Sequence, residues 1–423
     1  HSDTITTFTK TLLNSIINVS CGHDYIMAIK SDGSLWGTGF NTDSQLGLGP
    51  DAPSHVNSFT RVPKTTYVHG VYCGFRHTMI MQWDELWGTG RNDDGQLGLG
   101  HRNKCNIHSS TKDIHYFTKV DGVIDIKDIS CGGDYTMIVK SNGSLWGTGN
   151  SYRGRLGLKQ DTLICIFREI PEINNVRKVS CGYTHTAVVK YDGTLWMSGC
   201  NTWGQLGIDN AFSKNTNYHR SSNYSNFFRH VPDITNVVNI SCGTTHTMAI
   251  TSNGTLMATG CNRYGQLGNH TSYLKCIYKF IVIPQFKATQ VSCGSDHTMV
   301  VKSDGSIWGT GCNGWGQLGV NSEYQKCTHT FINIPKLKNV LICCGGLLTT
   351  AITNMICQRC HKSLGTKTRL PQKIVIQFLV TVNRKYIDTP APPIACLTND
   401  MIMLIIEIYN KLHNNGTVEY CMG

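Results

Sequence analysis

A single unit of sequence recurs along this chain, spelled most fully by residues 291–319 as VSCGSDHTMVVKSDGSIWGTGCNGWGQLG. It appears as SCGHDYIMAIKSDGSLWGTGFNTDSQLG from Ser20, CGFRHTMIMQWDELWGTGRNDDGQLG from Cys73 and SCGGDYTMIVKSNGSLWGTGNSYRGRLG from Ser130, then again from Ser180 and Ser241. A further copy opens at Cys343 as CCGGLLTTAIT and then departs from the pattern. The Cys-Gly pairs start at Cys21, Cys73, Cys131, Cys181, Cys242, Cys293 and Cys344, at intervals of 52, 58, 50, 61, 51 and 51 residues. A unit of this length cannot bury its own apolar face and must stack on a neighbour. The repeat therefore constrains the architecture before any local assignment is made.

Within each unit the β-branched run 298–302 and its counterparts lead into Asp-Gly or Asn-Gly and then Leu-Trp-Gly-Thr-Gly. Asn/Asp-Gly between two such runs is the strongest short hairpin signal, because both turn residues need positive φ. Asp32-Gly33, Asn142-Gly143, Asp192-Gly193, Asn253-Gly254 and Asp304-Gly305 fit; the second unit has Asp84-Glu85 at that place. The strand glycines of Trp-Gly-Thr-Gly permit close backbone approach, as expected of crowding near a central axis. Composition agrees: 43 glycines in 423 residues and only 15% charged residues suit short strands and tight turns, not a disordered chain or a coiled coil. No apolar run reaches the ~18 residues of a membrane span, so no membrane partner is expected.

An aromatic anchor precedes each unit. Phe8, Phe59, Phe117, Phe167, Phe228, Phe280 and Phe331 stand 13 or 14 residues before the seven Cys-Gly pairs. Phe8 has no hairpin before it, and the hairpin after Thr353 has no Phe segment behind it. A circular array removes both loose ends, and with them the open sheet edges. In that array residues 4–18 form the outer part of the seventh unit's sheet, beside the strands near 349–360.

The Cys-Gly, His-Thr, Asp-Gly, Leu-Trp-Gly-Thr-Gly and Asn-x-x-Gly-Gln-Leu-Gly elements together resemble the regulator of chromosome condensation repeat family. The resemblance covers residues 8 to 353. It implies an all-β, seven-bladed β-propeller over 1–353, closed by the N-terminal strand, with a small mixed C-terminal extension over 354–423. The Cys- and Asn-rich spelling is similar to members from large DNA viruses of amoebae and from some bacteria. The resemblance also implies protein partners, a small GTPase or a chromatin component among them. Family members that exchange guanine nucleotides wedge a protruding insertion into a small GTPase, and no motif here identifies such a wedge. Some members sense light through tryptophan clusters. Here Trp36, Trp87, Trp146, Trp196 and Trp308 share one repeat position, which reads as packing between blades.

What recurs is scaffold, and what varies is where specificity is expected. Four residues after each start cysteine stand Tyr25, His77, Tyr135, His185, His246, His297 and Leu348. A pore-lining metal or anion site is one reading; a hydrogen-bonding core position fits the Tyr and Leu members better. The two preceding residues vary freely, and Asp24, Arg76 and Asp134 among them are expected to contact a partner. Two long connectors, 101–116 and 209–227, carry Arg102, Lys104 and His108, and Lys214, Tyr218, Arg220 and Tyr224, which form the second set of expected contacts.

The extension supplies a basic tail, with Arg359, Lys362, Lys367, Arg369, Lys373, Arg384 and Lys385 and no acid between 354 and 385. With a net charge of +11, it makes nucleic acid an expected though non-specific partner. Cys357-Gln-Arg-Cys360-His361 matches a haem-attachment pattern and could form half of a zinc site. No second Cys-x-x-Cys completes it, so structural thiols are favoured and neither metal nor cofactor is expected. Residues 373–382 read as a strand, and 400–412 as a capped amphipathic helix.

Nineteen cysteines would suit a secreted disulfide scaffold, but seven of them recur as small buried hydrophobes. A reducing compartment, nucleus or cytoplasm, is the better fit; the alternative is a virion, where Cys261 with Cys276 and Cys312 with Cys327 could oxidise. His1 is neither an initiator methionine nor the start of a signal peptide, so a natural N-terminus further upstream is expected. The functional expectation is a non-enzymatic interaction scaffold. Guanine-nucleotide exchange, chromatin or DNA binding, and a structural role in a virion are its alternatives.

Overall fold

The computed structural model describes residues 9–102, 114–208, 223–270, 275–320, 326–338, 340–355 and 376–382. The chain separates into two compact units, 3–385 and a smaller one of 1–2 with 386–423; the description below concerns the first. Its strands form antiparallel sheets, each belonging to one repeat, arranged as the seven blades of a propeller. Among the described residues the one helical element is a single 3-10 turn, Tyr152–Gly154.

The first blade shows the plan. Ile16–Cys21 is innermost, followed by Tyr25–Lys30, Leu35–Phe40 and the outer strand His55–Arg61, each paired with the one before. The inner strands of the next five blades are Val68–Cys73, Ile126–Cys131, Val176–Cys181, Val237–Cys242 and 288–293 of the long strand Cys276–Cys293. That long strand is the outer edge of the fifth blade and then the inner edge of the sixth, which joins those two sheets into one of seven strands. The seventh blade runs Val340–Cys344, Thr349–Met355, Ile376–Val382 and Thr9–Asn14. Its third strand comes from the segment that the sequence places in the extension, and Thr9–Asn14 lies antiparallel to that strand, with Thr9 opposite Thr381, rather than beside 349–355. Residues 16–18, expected in the same outer segment, belong instead to the first blade's inner strand.

The repeat motifs prove to be devices for joining blades. In Asn-x-x-Gly-Gln-Leu-Gly, Leu97 N donates to Asn92 Oδ1 (3.1 Å) and Asp94 N to Gln96 Oε1 (3.0 Å), which folds the loop on itself. The Gln96 carbonyl then accepts from Thr136 Oγ1 of the next blade at 2.8 Å. The final glycine of the motif receives the next blade's anchor. Gly98 has φ +72°, and a Cβ there would lie 2.6 Å from Phe167 Cε2. Gly47 stands in the same relation to Phe117, and Gly157 to Phe228.

Two further expectations need correction. The glycines of Trp-Gly-Thr-Gly are not crowded by the axis, because they lie on third strands. A Cβ on Gly37 would meet Met27 Sδ at 2.8 Å and Leu46 at 3.0 Å, inside the blade. The hairpin of the second blade does not turn on Asp84-Glu85. Gln82 pairs with Glu85, so Trp83 and Asp84 are the turn residues, at φ 57° and 59°. This shortened turn costs Trp87 its partner. Elsewhere the indole donates to a hydroxyl two residues before it, as Trp36 Nε1 does to Ser34 Oγ at 2.9 Å; the Trp87 nitrogen is buried without one.

Candidate functional site

The inner strands surround an axial cavity of about 250 Å³, lined by the Ser-Cys-Gly segments of successive blades. Hydrogen bonds run around it from blade to blade. Cys73 N donates to Ser20 Oγ (2.9 Å), Cys181 N to Ser130 Oγ (2.9 Å), Cys242 N to Ser180 Oγ (3.0 Å), Cys293 N to Ser241 Oγ (3.0 Å) and Cys344 N to Ser292 Oγ (2.9 Å). The start cysteines are more than small hydrophobes, for the thiols of all but Cys344 donate to the preceding blade's carbonyl, as Cys181 Sγ does to Ser130 O at 3.2 Å. Burial raises these thiols; Cys73 and Cys181 are pushed up to about 12. Between the seventh and first blades Cys343 replaces the serine, and its sulfur accepts from Cys21 N at 3.2 Å.

The four repeat histidines are fully buried locks between blades rather than pore ligands. His77 Nε2 lies 2.9 Å from Thr136 Oγ1, and His185, His246 and His297 contact Thr247, Thr298 and Thr349 in the same way. Because Thr136 donates its own proton to Gln96 O, it accepts from His77, which fixes the proton on Nε2. Burial lowers each of these histidines to about 3, so all four are neutral. Their rings also explain the Cys-Gly pair: a Cβ on Gly74 would lie 2.6 Å from His77 Nδ1 and 2.9 Å from Gly132 O.

Beyond each Cys-Gly pair the chain turns at the mouth of the cavity, and there the blades differ. His23, Phe75 and Tyr183 form an aromatic cluster, with ring centroids 4.0 Å apart for His23–Phe75 and 5.2 Å for Phe75–Tyr183. The last pair spans the third blade, which carries Gly133 at that point. A Cβ on Gly133 would lie 2.8 Å from Tyr183 Cδ2. Thr244, Ser295 and Gly346 keep the far side of the mouth small and polar. Charges surround the cluster: Asp24 Oδ2 lies 2.5 Å from His23 Nδ1, Arg76 lies 3.7 Å from Asp43, and Arg91 contacts Asp93 (2.9 Å) and Asp134 (3.9 Å). Burial raises Asp94, which also feels the Asp134 charge, and burial likewise raises Asp296. Such a surface can stack on flat groups and pair with charges of either sign.

Asp24, Arg76 and Asp134 each follow directly on a residue that lines the mouth, but none of them lines the cavity and each pairs elsewhere, Asp24 with His23, Arg76 with Asp43 and Asp134 with Arg91. Arg102 and Tyr224, both exposed, are the described ends of the two long connectors. In a four-stranded antiparallel blade the first and third connections leave at the same end, so the described ends of these connectors stand on the face of the mouth. Lys104, His108, Lys214, Tyr218 and Arg220 lie outside the described residues. So do the seven basic residues of the tail, Cys357, Cys360, His361 and the 400–412 segment. Among the described residues no three His, Cys, Asp or Glu side chains gather to hold a metal, and no helix is long and apolar enough to cross a membrane.

Sequence reasoning placed His23, Phe75 and Tyr183 in the variable pairs at one face of the ring without choosing them as partner contacts, and it did not single out Arg91 or Asp43. The signal was available in the first three, which place aromatic rings where other blades have Gly, Thr or Ser.

The family model for the RCC1-like domain matches residues 68–358, and that for the regulator of chromosome condensation (RCC1) repeat matches residues 32–81. The ultraviolet-B receptor UVR8 of Arabidopsis thaliana is 30% identical over 351 residues, covering 80% of this chain and 63% of that protein. The X-linked retinitis pigmentosa GTPase regulator of Homo sapiens is 32% identical over 348 residues, covering 82% and 32%. The chain therefore spans less than two thirds of the length of these curated relatives. Among solved structures, human WBSCR16 superposes with a TM-score of 0.68 at 19% identity, covering 89% of each chain. Prp20p of Saccharomyces cerevisiae, described together with its binding properties to Gsp1p and histones, gives 0.66 at 15% identity, covering 93% and 86%. At that identity these two structures speak for the fold alone. The domain match over most of the seven-bladed repeat makes this chain a member of the RCC1-like domain family.

Proposed function

We propose that the propeller is a non-enzymatic scaffold that holds a protein partner on the face around the cavity mouth. The observation that carries this reading is the break in symmetry there. Blade junctions repeat their chemistry around the ring, whereas the mouth assembles His23, Phe75 and Tyr183 on one side only and sets Asp24, Arg76 and Asp134 beside them. The described ends of the two long connectors stand on the same face, and the basic residues between 354 and 385 would supply a second, electrostatic contact. Aromatic rings and arginine beside carboxylates are the composition of interface hot spots.

The test is affinity capture with the intact chain and with a Phe75→Ala, Arg76→Glu, Tyr183→Ala variant. Both should fold alike, and partners identified by mass spectrometry with the first should be lost from the second. Retention of the same partners by the variant removes the mouth from the interface.

A second reading, guanine-nucleotide exchange on a small GTPase, draws support from the relatives named GTPase regulators, at 32% identity in the human protein. Release of bound GDP from a panel of small GTPases separates the two. Catalytic release would end the scaffold-only reading. Salt-insensitive or absent DNA binding would remove nucleic acid from the tail's partners.

A further inference from the structure

Four cysteines outside the inner strands stand in two matched pairs. In the fifth blade Cys261, at the end of Thr255–Cys261, is directly opposite Cys276, at the start of the next strand. In the sixth, Cys312 at the end of Ser306–Cys312 is directly opposite Cys327. Backbone hydrogen bonds show which kind of antiparallel pair these are. Cys261 N points away from Cys276, donating to Thr245 O at 2.9 Å, while the flanking Asn262 N donates to Lys275 O at 2.9 Å. Cys312 N likewise donates to Asp296 O at 2.8 Å and Asn313 N to Lys326 O at 2.7 Å. Both are therefore non-hydrogen-bonded pairs. Such pairs bring Cα atoms to about 4.5 Å with side chains on one face, inside the window of about 4.4–6.8 Å that an S–S bridge spans.

We propose that Cys261–Cys276 and Cys312–Cys327 are two oxidation sites at which a peroxide closes cross-strand disulfides in neighbouring blades. One thiolate of a pair attacks the peroxide, the O–O bond breaks, and the sulfur becomes a sulfenic acid as the other oxygen leaves as water. The partner sulfur then attacks that sulfenic sulfur, the S–O bond breaks, a second water leaves and the S–S bond forms. Two thiols and one peroxide give one disulfide and two waters. Cys312 and Cys327 are both partly exposed, whereas Cys261 is 5% exposed, so the sixth-blade pair reacts first.

Each bridge would tie the ends of a fourteen-residue loop, 262–275 or 313–326, which carries the Asn-x-x-Gly-Gln-Leu-Gly element. In the fifth blade that element holds the next one, since Gln266 O accepts from Thr298 Oγ1 at 2.7 Å. Oxidation thus fastens a junction as well as a loop. The fourth blade is an internal control. Cys200 has the same backbone setting, donating to Thr184 O at 2.9 Å, but faces Tyr224.

The experiment treats the reduced, folded full chain with hydrogen peroxide at mildly alkaline pH, then unfolds and alkylates it and maps peptides without reductant. Both linked peptides should appear, 312–327 ahead of 261–276, with loss of alkylation at those four positions and its retention at Cys200. Cys276→Ser should abolish the first link alone and Cys327→Ser the second alone. The oxidised chain should melt several degrees higher, and a dithiol should return it. The proposal is overturned if all four cysteines remain alkylatable, if they end as sulfinic acids without linked peptides, or if bridges join other cysteines as readily as in chain unfolded in urea.

Discussion

The junctions between blades and the mouth of the cavity are built from the same seven repeats, yet they obey opposite rules. At the junctions one chemistry returns with little change: Ser hydroxyl to Cys amide, His or Tyr to the neighbouring blade, Phe ring on the preceding glycine. At the mouth, two residues from the start of each junction, the blades differ: His23, Phe75, Tyr183, Thr244 and Ser295 each occur once, and only Gly133 and Gly346 match. The difference teaches where selection for stability ends and room for specificity begins on a rigid repeat. Substitutions at junctions should act on the whole ring, and substitutions at the mouth should leave the ring alone.

The largest effect is expected from removing residues 1–14, which takes away the strand Thr9–Asn14 and leaves the first blade's inner strand Ile16–Cys21 whole. Phe8 is, by spacing, the seventh anchor, and Gly319 is the glycine that by the repeat rule would receive it. Leu13 of Thr9–Asn14 is buried in the cluster that includes Leu348 and Ile352. If the N-terminal segment completes the ring, the truncated chain should melt cooperatively at a much lower temperature. Unchanged calorimetric melting would refute closure by this segment.

Next in size is Gly98→Ala. It combines positive φ with a Cβ driven into Phe167, an expected loss on the order of 3 kcal/mol in denaturant unfolding. Gly122→Ala has positive φ but open space around it, so it should cost only about 1 kcal/mol. Equal costs would show that the Phe–Gly contact adds nothing.

Acid should open the junctions too. The four buried histidines are held at about 3 against an ordinary 6.5, so below pH 6.5 the unfolded chain takes up protons that the folded one refuses. Their stabilisation is complete above pH 6.5 and is lost progressively as pH falls towards 3, by up to about 1.4 kcal/mol per pH unit for each histidine. His77→Tyr, which installs the residue that the first and third blades already use, should stay within about 1 kcal/mol of the parent at neutral pH and make the acid slope shallower. A slope that is unchanged would remove His77 from the titration.

The smallest effect on stability, and the sharpest test of the contrast, is Tyr183→Ala. Its ring is 38% exposed, and its loss should shift the melting temperature by no more than a degree or two while abolishing partner capture.

Much of this was legible in the sequence. The Cys-Gly period set the number of blades, and the Asp-Gly turns set the hairpins. The alternation of His with Tyr and Leu at one position already favoured a lock over a ligand. The mouth was harder to read, because a variable position shows only that it is free to vary. Whether Phe75 and Tyr183 touch depends on Gly133, which lies 58 residues from one and 50 from the other in the chain. The Trp83-Asp84 turn was misread because two non-glycine residues at positive φ run against local preference. Tyr67, also at positive φ, packs its ring tilted against Trp83 with centroids 4.2 Å apart, a tertiary contact that no local pattern announces.

The inner hydrogen bonds also bear on the time at which the propeller becomes whole. From the first junction to the last inner one, each bond joins residues 51 to 62 apart, such as Cys73 with Ser20, but the bond from Cys21 to Cys343 joins residues 322 apart. Closing a loop six times longer costs about 1.6 kcal/mol more chain entropy. On a chain emerging from a ribosome, each new blade finds its neighbour already made, while the first blade's inner edge must wait for the seventh. Throughout that interval the growing arc presents an unpaired flank to everything around it, and protection of that flank during synthesis is a requirement that the finished ring no longer shows.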